Sequence, residues 1–417
     1  MTAPSDLDPR NRKLAVSYRP LESLIPYARN ARTHSDTQVA EIAASIRAFG
    51  WTNPILVDGD NGIIAGHGRV LAARKLRMAQ VPVIELAGMT ETERRAYIIA
   101  DNKLALKAGW DQAMLAAEIG DLQGLGFDLA LTGFELAEID GLLAGEAPSF
   151  PDQAPEPPAD PVTVPGDVWT MGPHRLVCGD ATDAETVRRA LDGGLADMVF
   201  TDPPYNVAYA GKGRARRPIA NDDLGDNFGA FLERACRTML PVTKGAVYIC
   251  MSSSEIDVLK AAFAATGGHW STFIVWAKNA FTLGRSDYQR QYEPILYGWP
   301  KGTGHYWCGA RDQGDVWQID RPKANDLHPT MKPVALVERA IRNSSKTRDT
   351  VLDPFAGSGT TVMAAEATGR HAALIELDPA YCDVIVRRWQ DGTGRRATRQ
   401  DGSGLAHAVA VPDGGLY

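Results

Sequence analysis

Short apolar runs separated by amphipathic stretches dominate the second half of the chain. Six runs bounded by polar or turn-forming residues predict buried strands at 197–201, 246–251, 272–276, 294–297, 350–352 and 372–375. Between them, apolar positions recur at helical spacing and predict helices at 227–240 and 360–368. Alternating strands and helices are typical of a doubly wound α/β fold, with a mostly parallel sheet covered on both faces. Because such sheets bind ligands at the carboxyl ends of their strands, motifs that directly follow strands matter most.

The first part of the chain shows a shorter α/β pattern. Asp36 is placed to cap a helix that runs to Phe49, with apolar residues on one face and Gly50 ending it. A second helix ends at Leu76, and strands are predicted at 54–57, 63–65 and 81–86. Residues 91–144, which include Trp110, predict a helical extension of this unit.

A proline-rich stretch lies between the two patterns. Residues 148–165 hold seven prolines in eighteen positions, with acids and few apolar residues. Proline interrupts helices and sheets and favours extended chain, so a semi-rigid, solvated linker is predicted, with a packed loop as the alternative. The sequence therefore divides into an accessory domain with its helical extension, a linker, a second domain and a flexible tail, at 1–147, 148–166, 167–392 and 393–417.

Composition places the chain among ordinary globular proteins. Hydrophobic residues make up 44% and charged residues 23%, which excludes a mostly disordered, collagen-like or disulfide-scaffold protein. No stretch approaches the roughly eighteen consecutive apolar residues of a membrane span, and the first residues lack the apolar core of a secretory signal. The five cysteines are scattered singly, which favours reduced thiols in a cytoplasmic protein.

The net charge of −7 is unevenly distributed. Residues 1–150 carry 15 basic and 19 acidic side chains, residues 151–166 carry three acids and no base, and residues 167–417 carry 29 of each. The surplus of acids therefore lies outside the second domain, and the total does not exclude a locally basic surface there.

Residues 350–361 combine a strand, a glycine-rich turn and the start of a helix. Thr360 follows Gly359 where a P-loop requires lysine, and Val362 stands where a dinucleotide fingerprint requires glycine or alanine. About twenty residues on, Glu376 ends the next predicted strand, where a carboxylate can accept two hydrogen bonds from ribose hydroxyls. The glycine-rich turn and Glu376 together predict a cofactor that contains a nucleoside and is not bound mainly through phosphate groups.

The second motif, Asp202-Pro203-Pro204-Tyr205, directly follows the predicted strand 197–201. Neither proline has an amide proton, and both hold φ fixed, so their carbonyl groups point in set directions. A strand that simply ends at two prolines is the structural alternative. The adjoining Tyr205 and the glycine-rich motif of the same domain favour a functional reading.

Together these motifs resemble those of amino-group DNA methyltransferases, which modify N6 of adenine or N4 of cytosine. The resemblance covers about residues 167–390. The order of the motifs, with Asp202–Tyr205 first, the His328-to-Pro333 segment next and Asp353–Thr360 last, resembles the permuted class called beta. It implies a Rossmann-like, S-adenosylmethionine-dependent methyltransferase fold and double-stranded DNA as partner.

The resemblance also implies roles for individual residues. Asp202, Pro203, Pro204 and Tyr205 match the catalytic motif. The cofactor site would comprise Asp180, Lys332, Asp353, Phe355, Gly357, Gly359, Thr360 and Glu376. Asp180 has a simpler alternative as the N-cap of the following helix, and Pro333 at a helix start accounts structurally for part of the segment around Lys332.

The chemistry of amino methylation suits the first motif. The exocyclic amino group is a poor nucleophile because its lone pair is delocalised into the ring. If Asp202 and the Pro203 carbonyl accept its two N–H bonds, the nitrogen can become pyramidal and direct its lone pair at the methyl group. The base must be flipped out of the duplex, and Tyr205 then offers a ring for stacking, worth about 1–3 kcal/mol. The resemblance to the family implies that Asp rather than Ser at position 202 favours adenine over cytosine, although the same acceptors would serve either amino group.

DNA contacts are expected between the two motifs. The seven residues 211–217, shortly after Tyr205, carry four positive charges, on Lys212, Arg214, Arg216 and Arg217. Residues 321–348 add seven basic side chains against two acidic ones. The alternative is a solvated surface. Several tryptophans lie in the same region, most of them expected in the core. His305 and Cys308 are too few for a metal site, so no metal is expected.

The first unit resembles the ParB/sulfiredoxin superfamily over about residues 15–90, which implies a small α/β fold. Partition proteins bind a nucleotide through a Gly-Glu-Arg-Arg box, but here His67 and Gly68 replace Glu and one Arg, and only Arg69 remains. Sulfiredoxin chemistry requires a cysteine in this loop, and the nearest is Cys178, so it is excluded. The unit is interpreted as an accessory for DNA binding or specificity.

Three hypotheses follow. The first is an adenine-N6 DNA methyltransferase, with cytosine N4 as the alternative base. The second is a ParB-like DNA-binding regulator whose methyltransferase half is inert, against which both intact motifs argue. The third is methylation of RNA or of a protein glutamine, which more often accompanies Asn in place of Asp202. A homodimer is compatible with the sequence, which does not reveal the target site or a paired restriction enzyme.

Overall fold

The computed structural model describes residues 14–105, 107, 109–144, 149–207, 220–282, 287–308, 313–321 and 331–400. The chain forms two compact units, Met1–Leu142 and Leu143–Tyr417. Among the described residues, no helix is both long and apolar enough to cross a membrane.

The first unit is a small α/β sheet followed by helices. Its strands have the order β1-β4-β2-β3 and are β1 (Val16–Pro20), β2 (Ile55–Val57), β3 (Ile63–Ala65) and β4 (Gln80–Glu85). Its helices are α1 (Asp36–Phe49), α2 (His67–Lys75), α3 (Glu91–Ala105), α4 (Gln112–Gly124) and α5 (Leu136–Ala144), the last of which crosses into the second unit. The predicted elements are present, but Ser35 rather than Asp36 caps α1, because the Ser35 side chain accepts the N–H of Gln38.

The second unit is built on a large mixed sheet. In the described residues its strands have the order β11-β9-β10-β8-β7-β12-β13-β6-β5-β14. They are β5 (Val168–Met171), β6 (His174–Cys178), β7 (Met198–Thr201), β8 (Val247–Cys250), β9 (Gly268–Thr282), β10 (Arg290–Pro300), β11 (Val316–Gln318), β12 (Thr350–Asp353), β13 (His371–Glu376) and β14 (Thr398–Arg399). The central strands β8, β7, β12, β13 and β6 are parallel. Antiparallel pairing adds β10 and β9 on one side and β5 and β14 on the other.

Helices cover both faces of this sheet. They are α6 (Ala184–Ala190), α7 (Phe228–Met239), α8 (Ile256–Ala265), α9 (Val334–Ser344), α10 (Thr360–Thr368) and α11 (Pro379–Thr393). One core cluster packs α9, α10 and α11 on the sheet, and the other packs α6, α7 and α8. Side chains that alternate along a strand enter opposite clusters, since successive residues point to opposite faces. The doubly wound architecture predicted from the sequence is confirmed.

The proline-rich stretch differs from the predicted solvated linker. Phe150 and Ala154 are buried, and Phe150 lies in the core cluster of α9, α10 and α11. Farther along, Asp383 of α11 accepts the backbone N–H groups of Val162 and Thr163. These contacts agree with the alternative of a packed loop. Composition alone could not show that Phe150 would pack into the core cluster of α9, α10 and α11.

The end of the described chain also contributes to the sheet. The backbone of 398–399 pairs with β5, within the region predicted as a flexible tail. Arg399 lies over the ring of Trp169 and bonds Asp167 at 3.1 Å. Residues 401–417 lie outside the described part of the chain.

Candidate active site

Four acids gather at one edge of the sheet because β6, β7, β12 and β13 are parallel and their carboxyl ends meet there. Asp353 and Glu376 are the last residues of β12 and β13, Asp202 directly follows β7, and Asp180 lies just beyond β6. The two sequence motifs, 151 residues apart from Asp202 to Asp353, are thereby brought onto adjacent strands.

Asp353 joins the two motifs. Its carboxylate accepts the hydroxyl of Thr201 at 2.8 Å, the hydroxyl of Thr361 at 2.6 Å and the N–H of Phe355 at 3.1 Å. Thr201 immediately precedes Asp202, so this group links β7 to the start of α10. Burial raises the pKa of Asp353 to about 6. Its observed contacts are with protein groups that set the geometry of the turn.

Asp202 lies between two donors. The Tyr205 hydroxyl donates to Oδ1 at 2.6 Å, and the Lys332 ammonium donates to Oδ2 at 2.6 Å. Lys332 is 6% exposed, and its Nζ lies 5.1 Å from the centre of the Tyr205 ring. Burial raises the pKa of Asp202, and the Lys332 charge opposes that effect. Each carboxylate oxygen keeps further acceptor capacity beside its donor.

Glu293 and Lys278 complete this cluster, and the sequence analysis did not identify them. Glu293 Oε2 lies 3.3 Å from Lys332 Nζ and accepts the Tyr205 hydroxyl at 3.4 Å, and its other oxygen pairs with Lys278. Although burial acts in the opposite direction, Lys332 and Lys278 lower the pKa of Glu293 to about 2. Glu293 directly precedes the predicted strand 294–297, and Lys278 lies two residues beyond the predicted strand 272–276, so neither residue was part of a predicted element.

Lys332 contacts the catalytic motif through its side chain and the glycine-rich motif through its backbone. Its carbonyl oxygen accepts the hydroxyl of Thr360 at 3.2 Å. Gly359 is the N-cap of α10 in the left-handed region at φ +79°, a conformation that glycine adopts without strain. The predicted cofactor residues Lys332, Gly359 and Thr360 therefore meet at one turn.

Glu376 holds the other side of the glycine-rich turn. Its carboxylate accepts the N–H of Gly357 at 2.8 Å and the N–H of Asp378 at 2.9 Å. Burial raises the pKa of Glu376 to about 7. A Cβ built at Gly357 would meet no heavy atom within 4 Å, so no other part of the described chain packs against that side of the turn.

The remaining predicted residues flank these groups. Phe355 is half-buried against Phe231, with ring centroids 5.8 Å apart, and Pro203 is buried beside the more open Pro204. Asp180 accepts the N–H of Thr182 at 2.8 Å in a tight turn. The alternative role of Asp180 as a helix cap is wrong, because Asp183 caps α6.

The described residues on the two sides of 208–219 contact each other. Asp222 accepts the N–H of Tyr205 at 2.9 Å, and the Asn206 side chain accepts the N–H groups of Leu224 and Gly225 at 2.8 and 2.9 Å. Asn206 has φ +56°, which asparagine tolerates better than most residues. Lys212, Arg214, Arg216 and Arg217 lie outside the described residues, as do His328–Thr330.

The donors and acceptors at this edge fit a cofactor with ribose hydroxyls and positive charge. Asp180 and Glu376 offer carboxylates at the ends of the neighbouring strands β6 and β13, and the N–H of Gly357 donates to Glu376. In the first unit, His67 begins α2, and its Nε2 accepts the N–H of Tyr27 at 3.3 Å. Burial lowers the pKa of His67, which favours a neutral, hydrogen-bonded imidazole.

Comparison with protein-family models matches three parts of the chain. Residues 9–102 match the ParB N-terminal domain, residues 113–165 match the ParB-methyltransferase HTH domain, and residues 196–387 match DNA methylase, the N6/N4 methyltransferase family. The second match spans part of the predicted helical extension and all of the proline-rich stretch at 148–165. The third contains Asp202–Tyr205 and the glycine-rich turn.

Individual relatives resemble separate parts of the chain. The ParB-like nuclease domain-containing protein YnaK of Escherichia coli (strain K12) is 58% identical over 83 residues, covering 20% of this chain and 95% of YnaK. Type II methyltransferase M2.DpnII of Streptococcus pneumoniae is 30% identical over 218 residues, covering 46% of this chain and 81% of the relative. Type II methyltransferase M2.LlaDCHI of Lactococcus lactis subsp. cremoris is 29% identical over 223 residues, covering 47% of this chain and 82% of that relative. The crystal structure of the M1.HpyAVI–SAM complex is 23% identical, covers 51% of this chain and 97% of that one, and has a TM-score of 0.40.

Proposed function

The chain belongs to the N6-adenine/N4-cytosine DNA methylase family, and on this premise we propose that it transfers a methyl group from S-adenosylmethionine to N6 of an adenine in duplex DNA. One observation carries the proposal. The Asp202 carboxylate, held by Tyr205 and Lys332, directly follows β7, which pairs with β12, the strand that leads into the glycine-rich turn; Glu376 ends β13 on the other side of β12. Acceptors for an amino group and for a ribose thus occupy one edge of one sheet.

The proposed cofactor residues act by binding and orientation. S-adenosylmethionine supplies a methyl group activated by a sulfonium leaving group. Glu376 would accept hydrogen bonds from its ribose, Asp180 would accept its amino group, and Phe355 would line its adenine pocket. Gly357, Gly359 and Thr360 would shape the wall beside its methionine part, with Asp353 fixing that wall through Thr361 and the Phe355 N–H.

Asp202 would orient the target amino group. Its oxygens are already fixed by Tyr205 and Lys332, so a substrate N–H meets an acceptor whose direction is set in advance. The Pro203 carbonyl would accept the second N–H, which draws the nitrogen towards a pyramidal geometry. The Lys332 charge favours the ionised form of Asp202 against its burial, and only that form leaves both oxygens as pure acceptors. Hydrogen-bond acceptance suffices, without complete removal of a proton.

The choice of adenine rests on the side chain at position 202. An aspartate there, rather than a serine, favours N6 of adenine, although the same acceptors would also serve N4 of cytosine. The base would leave the duplex to reach Asp202, with the Tyr205 ring available for stacking. Lys212, Arg214, Arg216 and Arg217 would neutralise phosphates, and the ParB-like unit would add DNA affinity or specificity.

The test is identification of the methylated base. The full chain is incubated with unmethylated duplex DNA of varied sequence and methyl-labelled S-adenosylmethionine, and the digested nucleosides are separated by mass. Labelled N6-methyladenine is expected. Labelled N4-methylcytosine would select the alternative base, and the absence of any labelled nucleoside would overturn the proposal.

A matched pair of variants assigns the activity to the site. Asp202→Asn keeps the shape of the side chain but replaces one acceptor oxygen by a donor, so methylation should fall by at least about a hundredfold. Asp257→Asn, at an exposed acid in the first turn of α8, should retain full activity. Equal activity of the two variants would remove Asp202 from the mechanism.

A further inference from the structure

We propose that Asp152, in the proline-rich strap formed by residues 149–165, is a positioning residue for methyl transfer that fixes Lys332 on Asp202. This inference rests on the proposed function, because it assigns a role within the same site. The strap lies outside the family match that contains the catalytic motif, at 196–387. It therefore adds a determinant of activity from a segment whose composition predicted a linker.

The contact that carries the inference is a helix cap supplied from far along the chain. Asp152 Oδ1 accepts the N–H of Val334 at 2.7 Å, across 182 residues of sequence. Val334 is the first residue of α9, and its N-cap is Pro333, whose side chain has no acceptor for the exposed amides. Asp152 takes the place of a local capping side chain and places a carboxylate at the positive end of the helix.

Only Pro333 separates this cap from Lys332. The proline ring fixes φ, so the backbone between Val334 and Lys332 has little freedom to absorb a displacement. The segment is held at three points: Lys332 Nζ on Asp202 at 2.6 Å, the Lys332 carbonyl on the Thr360 hydroxyl at 3.2 Å, and Val334 on Asp152. Loss of the third point lets the first turn of α9 move and carry Lys332 with it.

The strap is held in place by contacts of its own, so Asp152 can fix the position of the first turn of α9. Phe150 is buried, and the Pro151 carbonyl accepts a guanidinium N–H of Arg388 at 3.4 Å. The same guanidinium, itself buried, donates to the Ser358 carbonyl of the glycine-rich turn at 3.0 Å. Adjacent strap residues thus contact both halves of the site, Asp152 on the side of Lys332 and Pro151 on the side of the turn.

The charge state of Asp202 reports the position of Lys332. The groups whose charge or hydrogen bonding acts on Asp202 are Lys332, Glu293, Tyr205, Cys250 and Asp353, with Lys278 behind Glu293. Lys332 is the cation in direct contact with Asp202 among the described hydrogen bonds. If it recedes, the pKa of Asp202 rises, because burial and the neighbouring acid Glu293 are then opposed only by the weaker effect of the Tyr205 hydrogen bond.

The experiment compares three variants of the full chain with the wild type. Asp152→Ala removes the cap, Asp152→Asn keeps an oxygen that can accept the Val334 N–H, and Asp160→Ala removes an exposed acid of the same strap. For Asp152→Ala we expect kcat to fall about tenfold at pH 7 and the acid limb of its pH profile to move to higher pH, with KM for DNA unchanged within about twofold. Asp152→Asn should restore most of kcat and the wild-type profile, and Asp160→Ala should match the wild type.

A second measurement does not depend on catalysis. The ¹³C carboxyl signal of Asp202, identified by its loss in Asp202→Asn, should titrate at higher pH in Asp152→Ala than in wild type and Asp152→Asn. An unchanged titration together with an unchanged pH profile would overturn the inference, even if thermal stability falls. If the wild-type chain transfers no methyl group, the proposed function fails, while the titration still decides whether Asp152 positions Lys332. Should Asp152→Ala fail to fold, a shifted titration in Asp152→Ser, with its shorter acceptor, decides the question in the same way.

Discussion

Replacing Lys332 by methionine tests the electrostatic design of the site most directly. Methionine keeps an unbranched, flexible chain but removes the ammonium that lies 2.6 Å from Asp202 and 3.3 Å from Glu293. Two acids then share an interior site in which, among the described ion pairs, Glu293 keeps Lys278 and Asp202 has lost its ammonium partner. Methyl transfer should be lost, because Asp202 is no longer held ionised and oriented.

The cost in stability follows from the burial of the pair. Removing one partner of a buried ion pair costs about 3–5 kcal/mol of unfolding free energy. Asp202 keeps 27% of its side chain exposed, so solvent screens part of the effect, and we expect about 3 kcal/mol at pH 8. Lys301→Met, at an exposed lysine, provides the control and should change stability by less than about 0.5 kcal/mol.

The pH dependence has a defined sign. In Lys332→Met the pKa of Asp202 rises further above its unfolded value, so the charged carboxylate destabilises the fold at high pH, and protonation relieves this as pH falls. The stability that Glu293 contributes in the wild type, through a pKa lowered to about 2, is lost only as pH falls below its unfolded value, so it is complete at both pH 8 and pH 5 and the pH dependence in this range comes from Asp202. The gap between wild type and variant should therefore narrow from pH 8 to pH 5.

Urea unfolding followed by tryptophan fluorescence measures this gap. Trp51 and Trp110 lie in the first unit and the other seven of the nine tryptophans in the second, so the signal mainly reports the unit that holds the site. A gap below about 1 kcal/mol at pH 8, or one of equal size at both pH values, would refute the reasoning.

Three further predictions concern other parts of the second unit. Since burial raises the pKa of Glu376 to about 7 and a cationic cofactor favours the carboxylate, S-adenosylmethionine should bind more tightly as pH rises from about 6 to 8. Calorimetry should show this slope flattened in Glu376→Gln, and tighter binding at low pH would contradict the assignment. Phe150→Ala should destabilise the second unit by about 3 kcal/mol in urea, whereas no change would mean that the strap is not packed. Gly359→Ala should cost about 1–2 kcal/mol, because φ is +79° and the added Cβ would lie 3.1 Å from Ile385, and wild-type stability would refute that strain.

Much of the architecture was readable from local sequence. The apolar runs that form β7, β8, β12 and β13 are short and buried on both faces. Such a continuous apolar run can be recognised in the sequence without knowing which strands pair with it. The predicted helix at 360–368 agrees with α10 at both ends, because a glycine in the left-handed region stands at each. Strands β5, β6, β11 and β14 were not predicted, since all four are short and carry little periodicity of their own; β11 and β14 lie at the edges of the sheet.

The sequence by itself determined which acids follow strands and which turn is rich in glycine, and parallel pairing then brought Asp202, Asp353 and Glu376 to one edge. Only the tertiary structure decided that Lys332 and Glu293 meet at Asp202, and that Asp152 caps α9 from 182 residues away. The reason is physical. Periodicity, caps and turn chemistry act between near neighbours in the chain, whereas an ion pair or a distant cap exists only once the fold has closed the loop between its partners.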